Sequence, residues 1–249
     1  MARRTPEGPP PPPAVQKLRI RYAKRGRLRF SSTRDFARAL ERALRRSGVP
    51  MAFSAGFHPH PKISYANAAP TGTASEAEYF EISVTERVDP EALRLALDTA
   101  LPPDLDVIEV VEAGPGSLAE RLEGSVWRLE MRGVAIETLA YAVERFLAVE
   151  VAEVTRMFKT GAKTFDVRSA VVSMVATESE DPFCAILTMV VRHTTPSVRP
   201  DDILTALHAV TELRPPVPPL VTRLAQGPLL TAAAGVADPL AADKDAVVP

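Results

Sequence analysis

The chain has 249 residues, 46% of them hydrophobic and 24% charged, with a formal net charge of -1, a globular balance with material for one large or two ordinary domains. No run of about 18 apolar residues occurs, which argues against a transmembrane helix, and the N-terminus MARRTPEGPPPPP has no apolar signal core, so the chain reads as cytoplasmic. Cys184 is the only cysteine, which excludes an internal disulfide and any thiolate-built iron–sulfur or four-cysteine zinc site; within its apolar run FCAILTMVV it reads as a buried structural thiol.

Residues 1–14 read as a disordered Pro-rich tail. From Lys17 to Ala23 the pattern alternates, with Leu18, Ile20 and Tyr22 on one face and Lys17, Arg19 and Arg21 on the other, which predicts a half-buried strand. Arg27 to Ser31 continues that strand or pairs with it as a hairpin. Ser32 or Thr33 caps a helix that runs to about Ser47, where Gly48 and Pro50 stop it. A long connection, Phe53 to Ser75, follows. Glu78 to Thr85 alternates as a strand, Asp89-Pro90 opens a second helix closed by Pro102-Pro103, and Leu105 to Val111 is the next strand.

Residues 114–125 read as a linker, after which the order repeats. Val126 to Met131 is a strand, and Ile136 to Ala148 a helix with Leu139, Val143, Phe146 and Leu147 facing inward. Ala152 to Phe158, Phe165 to Ala176 and Pro182 to His193 are extended, Pro200-Asp201 precedes a helix to about Glu212, and Leu220 to Leu224 is the last strand. Residues 230–249 read as a second disordered tail. The pattern predicts an α+β protein of two tandem ferredoxin-like β-α-β-β-α-β sandwiches, residues 15–113 and 126–229.

The small net charge conceals a strong asymmetry. Lys17 to Pro50 holds 12 basic and 2 acidic residues, whereas Ile63 to Gly124 holds 3 basic and 13 acidic ones. Such segregation fits a polyanionic ligand, and equally fits an acidic segment that folds over the basic one and neutralises it.

Three groups of residues carry chemical potential. On the first predicted helix Arg34, Arg38, Arg42 and Arg45 recur every three or four positions and line one face, with Arg46 beside them. Arg19, Arg21, Arg27 and Arg29 extend that patch, an arrangement suited to a nucleic-acid backbone. Aromatic residues available for base stacking are few: Phe30, Phe53, Phe57 and Tyr65. The second group is His58-Pro59-His60-Pro61-Lys62. Two histidines two apart on an extended segment point to one side and suit metal chelation if Glu76, Glu78 or His193 supplies a third ligand, or acid–base chemistry, or a rigid turn in which they bond the loop itself. The third is a Gly-containing basic turn in which Lys159, Lys163 and Arg168 meet an anion and Asp166 orients Arg168; a charged hairpin turn explains the same residues. Phosphate-loop, dinucleotide, zinc-protease and nucleophile-elbow signatures are missing from the sequence.

The run from Arg27 to Ile82, with Phe30, Ser32, Asp35, Arg42, Arg46, Ser54, Gly56, Phe57, Pro59, Pro61, Ser64, Gly72, Ser75 and Glu78, followed by Lys159, Lys163, Asp166 and Arg168, resembles an uncharacterised bacterial domain-of-unknown-function family of the DUF2344 type, linked to radical SAM proteins. The resemblance spans about residues 15–225. It departs at Thr33, where the family pattern has His, and relatives keep the prolines of the 58–61 run more faithfully than its histidines. The first departure weakens any enzyme reading, and the second favours loop shape over metal ligation. The resemblance implies a radical SAM partner that carries an iron–sulfur cluster and S-adenosylmethionine, with no cofactor or metal in this chain. The resulting expectation is a non-catalytic accessory protein that binds tRNA or rRNA and presents it to a radical SAM modification enzyme. The alternatives are an RNA-processing or transfer enzyme using His58 or His60 with Lys62 or Lys163, and a protein–protein adaptor that binds no nucleic acid.

Overall fold

The computed structural model describes residues 11–245, which form a mixed α+β fold. The chain divides into two compact units: residues up to Ala119 together with those from Leu240 onward, and Glu120–Pro239.

In the first unit the predicted alternation folds as strand β1 (Gln16–Lys24). Gly26, at φ +47, then turns the chain into a 3-10 turn, Gly26–Phe30, where a strand or hairpin partner was expected. A Cβ on Gly26 would stand 2.2 Å from a carboxylate oxygen of Asp104, so a larger residue here would have to displace that side chain as well as hold a left-handed conformation. Helix α1 (Thr33–Arg46) starts at Ser32, whose hydroxyl accepts from Asp35 N while the Asp35 carboxylate accepts from Ser32 N, a reciprocal cap. Short strand β2 (Ile63–Ala66) lies inside the predicted connection, and β3 (Ala74–Val84) begins four residues before Glu78. Asp89 caps α2 (Pro90–Ala100), with Pro90 at its first position, and β4 (Val107–Glu112) completes the unit's sheet. The sheet order is β4-β1-β3-β2, with every neighbour antiparallel.

Register determines what each face of this sheet carries. Leu18 stands opposite Ile82 and Ile20 opposite Phe80, and these residues pack against Phe36, Leu40 and Leu44 of α1 and Leu93 and Leu97 of α2. Burial of each such side chain contributes about 1.5–3 kcal/mol. Tyr22 and Phe36 stack at 4.2 Å within this core. The opposite face pairs Arg19 with Glu81. It is closed as well, by Leu240–Asp245, where Asp243 meets Arg19. Residues 230–245 are therefore not the expected disordered tail. They carry strands β11 (Leu229–Leu230) and β12 (Gly235–Val236) and a short helix α5 (Ala241–Asp245), with Leu240 and Asp243 buried. The expected tail at 1–14 lies mostly outside the described residues.

In the second unit β5 (Gly124–Arg132) is followed by α3 (Ile136–Ala148). The expected linker at 114–125 is structured: Leu118 and Leu122 are buried, Ala119–Arg121 form a 3-10 turn, and β5 already begins at Gly124. Next, β6 (Glu153–Phe158) and β7 (Gly161–Asp166) form a separate two-stranded hairpin. The extended stretch predicted over 165–176 is therefore broken, and its second part is β8 (Val171–Glu178). Then come β9 (Cys184–Arg192), α4 (Pro200–Thr211) and β10 (Leu220–Gly227). The unit's main sheet runs β10-β5-β9-β8, again antiparallel throughout. Leu129, Met131, Leu139, Phe146, Leu187 and Leu207 form its core, and Cys184 is a buried free thiol at the start of β9. In both units the sheet strands, counted in chain order, stand fourth–first–third–second. No helix of the described residues is long and apolar enough to cross a membrane.

Candidate functional site

The cations of the basic segment separate into two populations. Of those on and just after β1, Lys17, Arg19 and Arg25 are neutralised by carboxylates, while Arg21 and Arg29 donate to main-chain carbonyls. Lys17 and Arg19 both meet Glu81, at 2.7 and 2.9 Å, and Arg25 pairs with Glu76 and Asp106. Arg19 is wholly buried, with further bonds from Nη1 to Asp243 at 2.6 Å and from Nη2 to the Gly116 carbonyl at 2.6 Å. Burial lowers its pKa, but the bonds to Asp243 and Glu81 outweigh that and raise it. Arg21 is half-buried and donates to the Glu76 carbonyl. Arg19 and Arg21 therefore do not extend the patch on α1, contrary to the alternation of β1. Alternation reports that two faces differ; it does not report what covers the second one.

The arginines of α1 behave differently. Arg34, Arg38, Arg42, Arg45 and Arg46 are all exposed, and among the described residues none has an ion-pair partner. Phe36, Leu40, Ala43 and Leu44 bury the opposite stripe and so fix which way the arginines face. Arg42, Arg45 and Arg46, with Ala39, line an open groove of about 700 Å³ whose other wall is Thr99–Pro102, at the end of α2. Three guanidinium groups over one groove offer up to fifteen N–H donors, about five each, in the geometry that matches phosphate or carboxylate oxygens. Arg45 and Arg46 also complement the C-terminal end of the α1 dipole.

The 53–75 connection adjoins α1 as a shaped segment. Phe53 bridges Pro61, Ser54 N donates to the His60 carbonyl, and the Ser54 hydroxyl accepts from His60 N, which closes the 54–60 loop at its base. Gly56 at φ +136 and Gly72 at φ +91 hold conformations that side chains resist. Gly72 N donates to the Arg29 carbonyl, and Ala69 N donates to buried Glu78, so this loop is tied both to the turn before α1 and to β3. Ser75 is buried and its hydroxyl accepts from Ala77 N. Ser64 and Lys62 are exposed, as are Phe57, Pro59, His58 and His60, while Pro61 is half-buried. Phe30 and Phe53 are exposed too, whereas Tyr65 joins the Phe36–Phe80 core cluster and its phenol is pushed up to about 12, first by burial and then by Glu41. Thr33, on the first turn of α1, borders a cleft with Lys24, Ser32, Tyr65 and Glu78 that has only about 10 Å³ free, room for a water at most.

The histidine pair gains no third ligand from the residues proposed for it. Glu76 is held by Arg25, Glu78 by Ala69 N, and the His193 ring by Ser125 Oγ and the Leu122 carbonyl, each at 2.7 Å. Among the described residues no group of three or more His, Cys, Asp or Glu is arranged around a metal ion.

In the second unit the predicted basic turn is the tip of the β6–β7 hairpin, and its four residues do not act together. Lys159 and Lys163 are exposed near the tip. Arg168, beyond the base of β7, is instead pinned on carbonyls, with bonds to Val171 at 3.2 Å and Leu147 at 3.1 Å. Asp166 does not orient the Arg168 guanidinium. Its carboxylate accepts from the main-chain N–H groups of Ala152, Arg168 and Ser169. Burial raises its pKa, these bonds lower it, and the net shift is downward. Sequence reasoning missed the residues that complete the hairpin, Arg156, Phe158 and Phe165, although their alternation along the two strands was visible, and missed Thr99–Pro102 as the second wall of the arginine groove.

Fold and site together define an α+β protein with a one-sided arginine helix beside a constrained loop. The chain belongs to the bacterial family described as "uncharacterized protein conserved in bacteria (DUF2344)", whose profile matches residues 17–200. It matches no curated protein.

Proposed function

We propose that this chain is a non-catalytic RNA-binding accessory protein whose α1 face contacts the phosphate backbone of tRNA or rRNA and presents it to a radical SAM modification enzyme. One observation carries the reading: the five α1 arginines are exposed and have no ion-pair partner among the described residues, while the neighbouring cations Lys17, Arg19 and Arg25 are neutralised by Glu81, Asp243, Glu76 and Asp106. Like charges at helical spacing repel by a few tenths of a kcal/mol per pair, about 0.2–0.5, and an RNA backbone offsets that repulsion. The loop built on Ser54, Gly56, Gly72 and Glu78 serves recognition by its shape, with Lys62 beside it. The enzyme partner in this reading comes from the resemblance to a radical-SAM-linked family.

The strand order and connectivity support reading both units as ferredoxin-like sandwiches, the second with the β6–β7 hairpin inserted after its first helix. Four-stranded sheets of this kind often bind RNA on the open sheet face. That face is taken in the first unit, where Arg19, Glu81 and Asp243 are buried on it, so the helix is the surface left for contact. A gel-shift assay of the full chain with tRNA and rRNA fragments tests the reading. Binding that weakens as salt rises is expected, and no binding at low salt overturns it.

A further inference from the structure

The β6–β7 hairpin is a two-stranded sheet of its own, anchored at one side by the Arg156–Asp202 pair and a bond of 2.9 Å from Arg156 to the Ser197 carbonyl. On one face of the ribbon the held guanidinium lies 4.6 Å from the Phe158 ring centre and 5.1 Å from that of Phe165. Lys163 Nζ approaches Phe158 from 5.6 Å, and the two rings meet edge to face at 6.3 Å. From Arg156 to Lys163 the ribbon has three cations and no acid. Lys159 and Lys163 have no ion-pair partner among the described residues, and Met157 beside them is 75% exposed. Arg156 is neutralised by Asp202, but a purely structural hairpin has no need of the two remaining lysine charges beside two half-buried rings.

We infer that this hairpin is a base-stacking arm for single-stranded RNA, with a nucleobase on the Phe158–Arg156 platform and flanking phosphates at Lys159 and Lys163. Aromatic rings and guanidinium planes both accept a stacked base, and neighbouring cations follow the backbone. Because Arg156 is already fixed by Asp202 and Ser197, the platform loses little freedom when a base arrives. The inference rests on the RNA-binding reading and adds to it a contact to bases, in the second unit, where α1 contacts only phosphates.

The test compares fluorescence anisotropy of the full chain on a single-stranded RNA oligomer and on an abasic ribose-phosphate oligomer of equal length. Stacking of one base predicts RNA binding tighter than abasic binding by roughly 5- to 150-fold. Phe158→Leu, which keeps the apolar body, is expected to remove that difference without changing the salt dependence, and Phe158→Tyr to retain it; circular dichroism verifies that both fold. Equal wild-type binding to the two oligomers, or an RNA preference that persists in Phe158→Leu, overturns the arm and leaves the α1 reading standing. Wild-type binding to neither overturns both.

Discussion

Arg19 and Asp243, 224 positions apart in sequence, form a fully buried ion pair at 2.6 Å on the sheet face opposite the helices of the first unit. The Asp243 carboxylate also accepts from Gly114 N at 2.9 Å, so one side chain near the end of the chain holds both a buried guanidinium and a turn of the backbone. Removing one partner of a buried pair strands the other charge in a place that water does not reach. Asp243→Ala is therefore expected to lower the unfolding free energy by about 3–5 kcal/mol, read by urea denaturation. Arg19→Met combined with Asp243→Leu is expected to recover part of that loss, because no buried charge is stranded and Glu81 keeps Lys17 at 2.7 Å, although Gly114 N and the Gly116 carbonyl lose these bonds. Additive losses in the double variant would refute the pairing.

The α1 arginines are expected to show the opposite profile. Arg38→Gln, Arg42→Gln and Arg45→Gln remove exposed charges that have no ion-pair partner among the described residues, so each should leave stability within about 0.5 kcal/mol of the parent. Each should also lower the slope of log binding constant against log salt by about 0.7 for single-stranded RNA. Denaturation and anisotropy titrations over a salt series check both halves. A slope that does not move with any of the three would remove α1 from the interface.

Much of this architecture could be read before the fold was known, and the failures share a physical cause. Apolar periodicity located α1, α3 and the central strands, and cap and proline signals located α2 and α4, since each of these signals is set by the element's own residues. They failed where the partner is distant in sequence. Leu240–Asp245 is too short for its own pattern to mark it as ordered; Leu240 is buried, and the partners that hold the segment, Arg19, Gly114 and Glu109, are distant in sequence. Arg19 likewise alternates with the same period as exposed Lys17, and it is Asp243 and the Gly116 carbonyl that distinguish them. The β6–β7 hairpin alternates like a strand of the main sheet, and local pattern does not say which sheet a strand joins. The candidate site was legible as a basic helix and a constrained loop. Its division into neutralised and free cations required the tertiary pairing of Glu76, Glu81 and Asp106.

His193 gives the second unit a defined response to pH. Nδ1 donates to the Leu122 carbonyl, so Nε2 is the ring's acceptor and takes the Ser125 hydroxyl proton, each at 2.7 Å. Burial chiefly, with the Arg223 charge adding to it, lowers the His193 pKa against the raising effect of the Leu122 bond. The native state thus binds the proton less readily than the unfolded chain. Stability is fully present above the unfolded value near 6.5 and is lost as pH falls from there through the lowered native pKa. Denaturation midpoints between about pH 7.5 and 5.5 should fall for the parent and fall less for His193→Gln. Parallel curves for the two proteins would assign the pH dependence elsewhere.

Asp166 links the hairpin's base to the body of the second unit, and its replacement should separate folding from binding. Its carboxylate gathers the N–H groups of Ala152, Arg168 and Ser169 at 2.9–3.1 Å. Burial opposes its ionisation, the three donors favour it, and the donors prevail. With the native pKa below the unfolded value near 3.9, the contribution is complete above that value and is lost as pH falls through the native pKa. Asp166→Ala leaves these donors without their acceptor and is expected to cost about 1–3 kcal/mol, while Asp166→Asn keeps an acceptor oxygen and should cost less. Because Asp166 pairs across the ribbon with Glu153 at its base, the Ala variant should also loosen the hairpin and lower RNA affinity more than affinity for the abasic oligomer. Hydrogen exchange over Glu153–Asp166 locates the change. Loss of stability with unaltered exchange in that segment would show that Asp166 acts on the 167–171 turn alone.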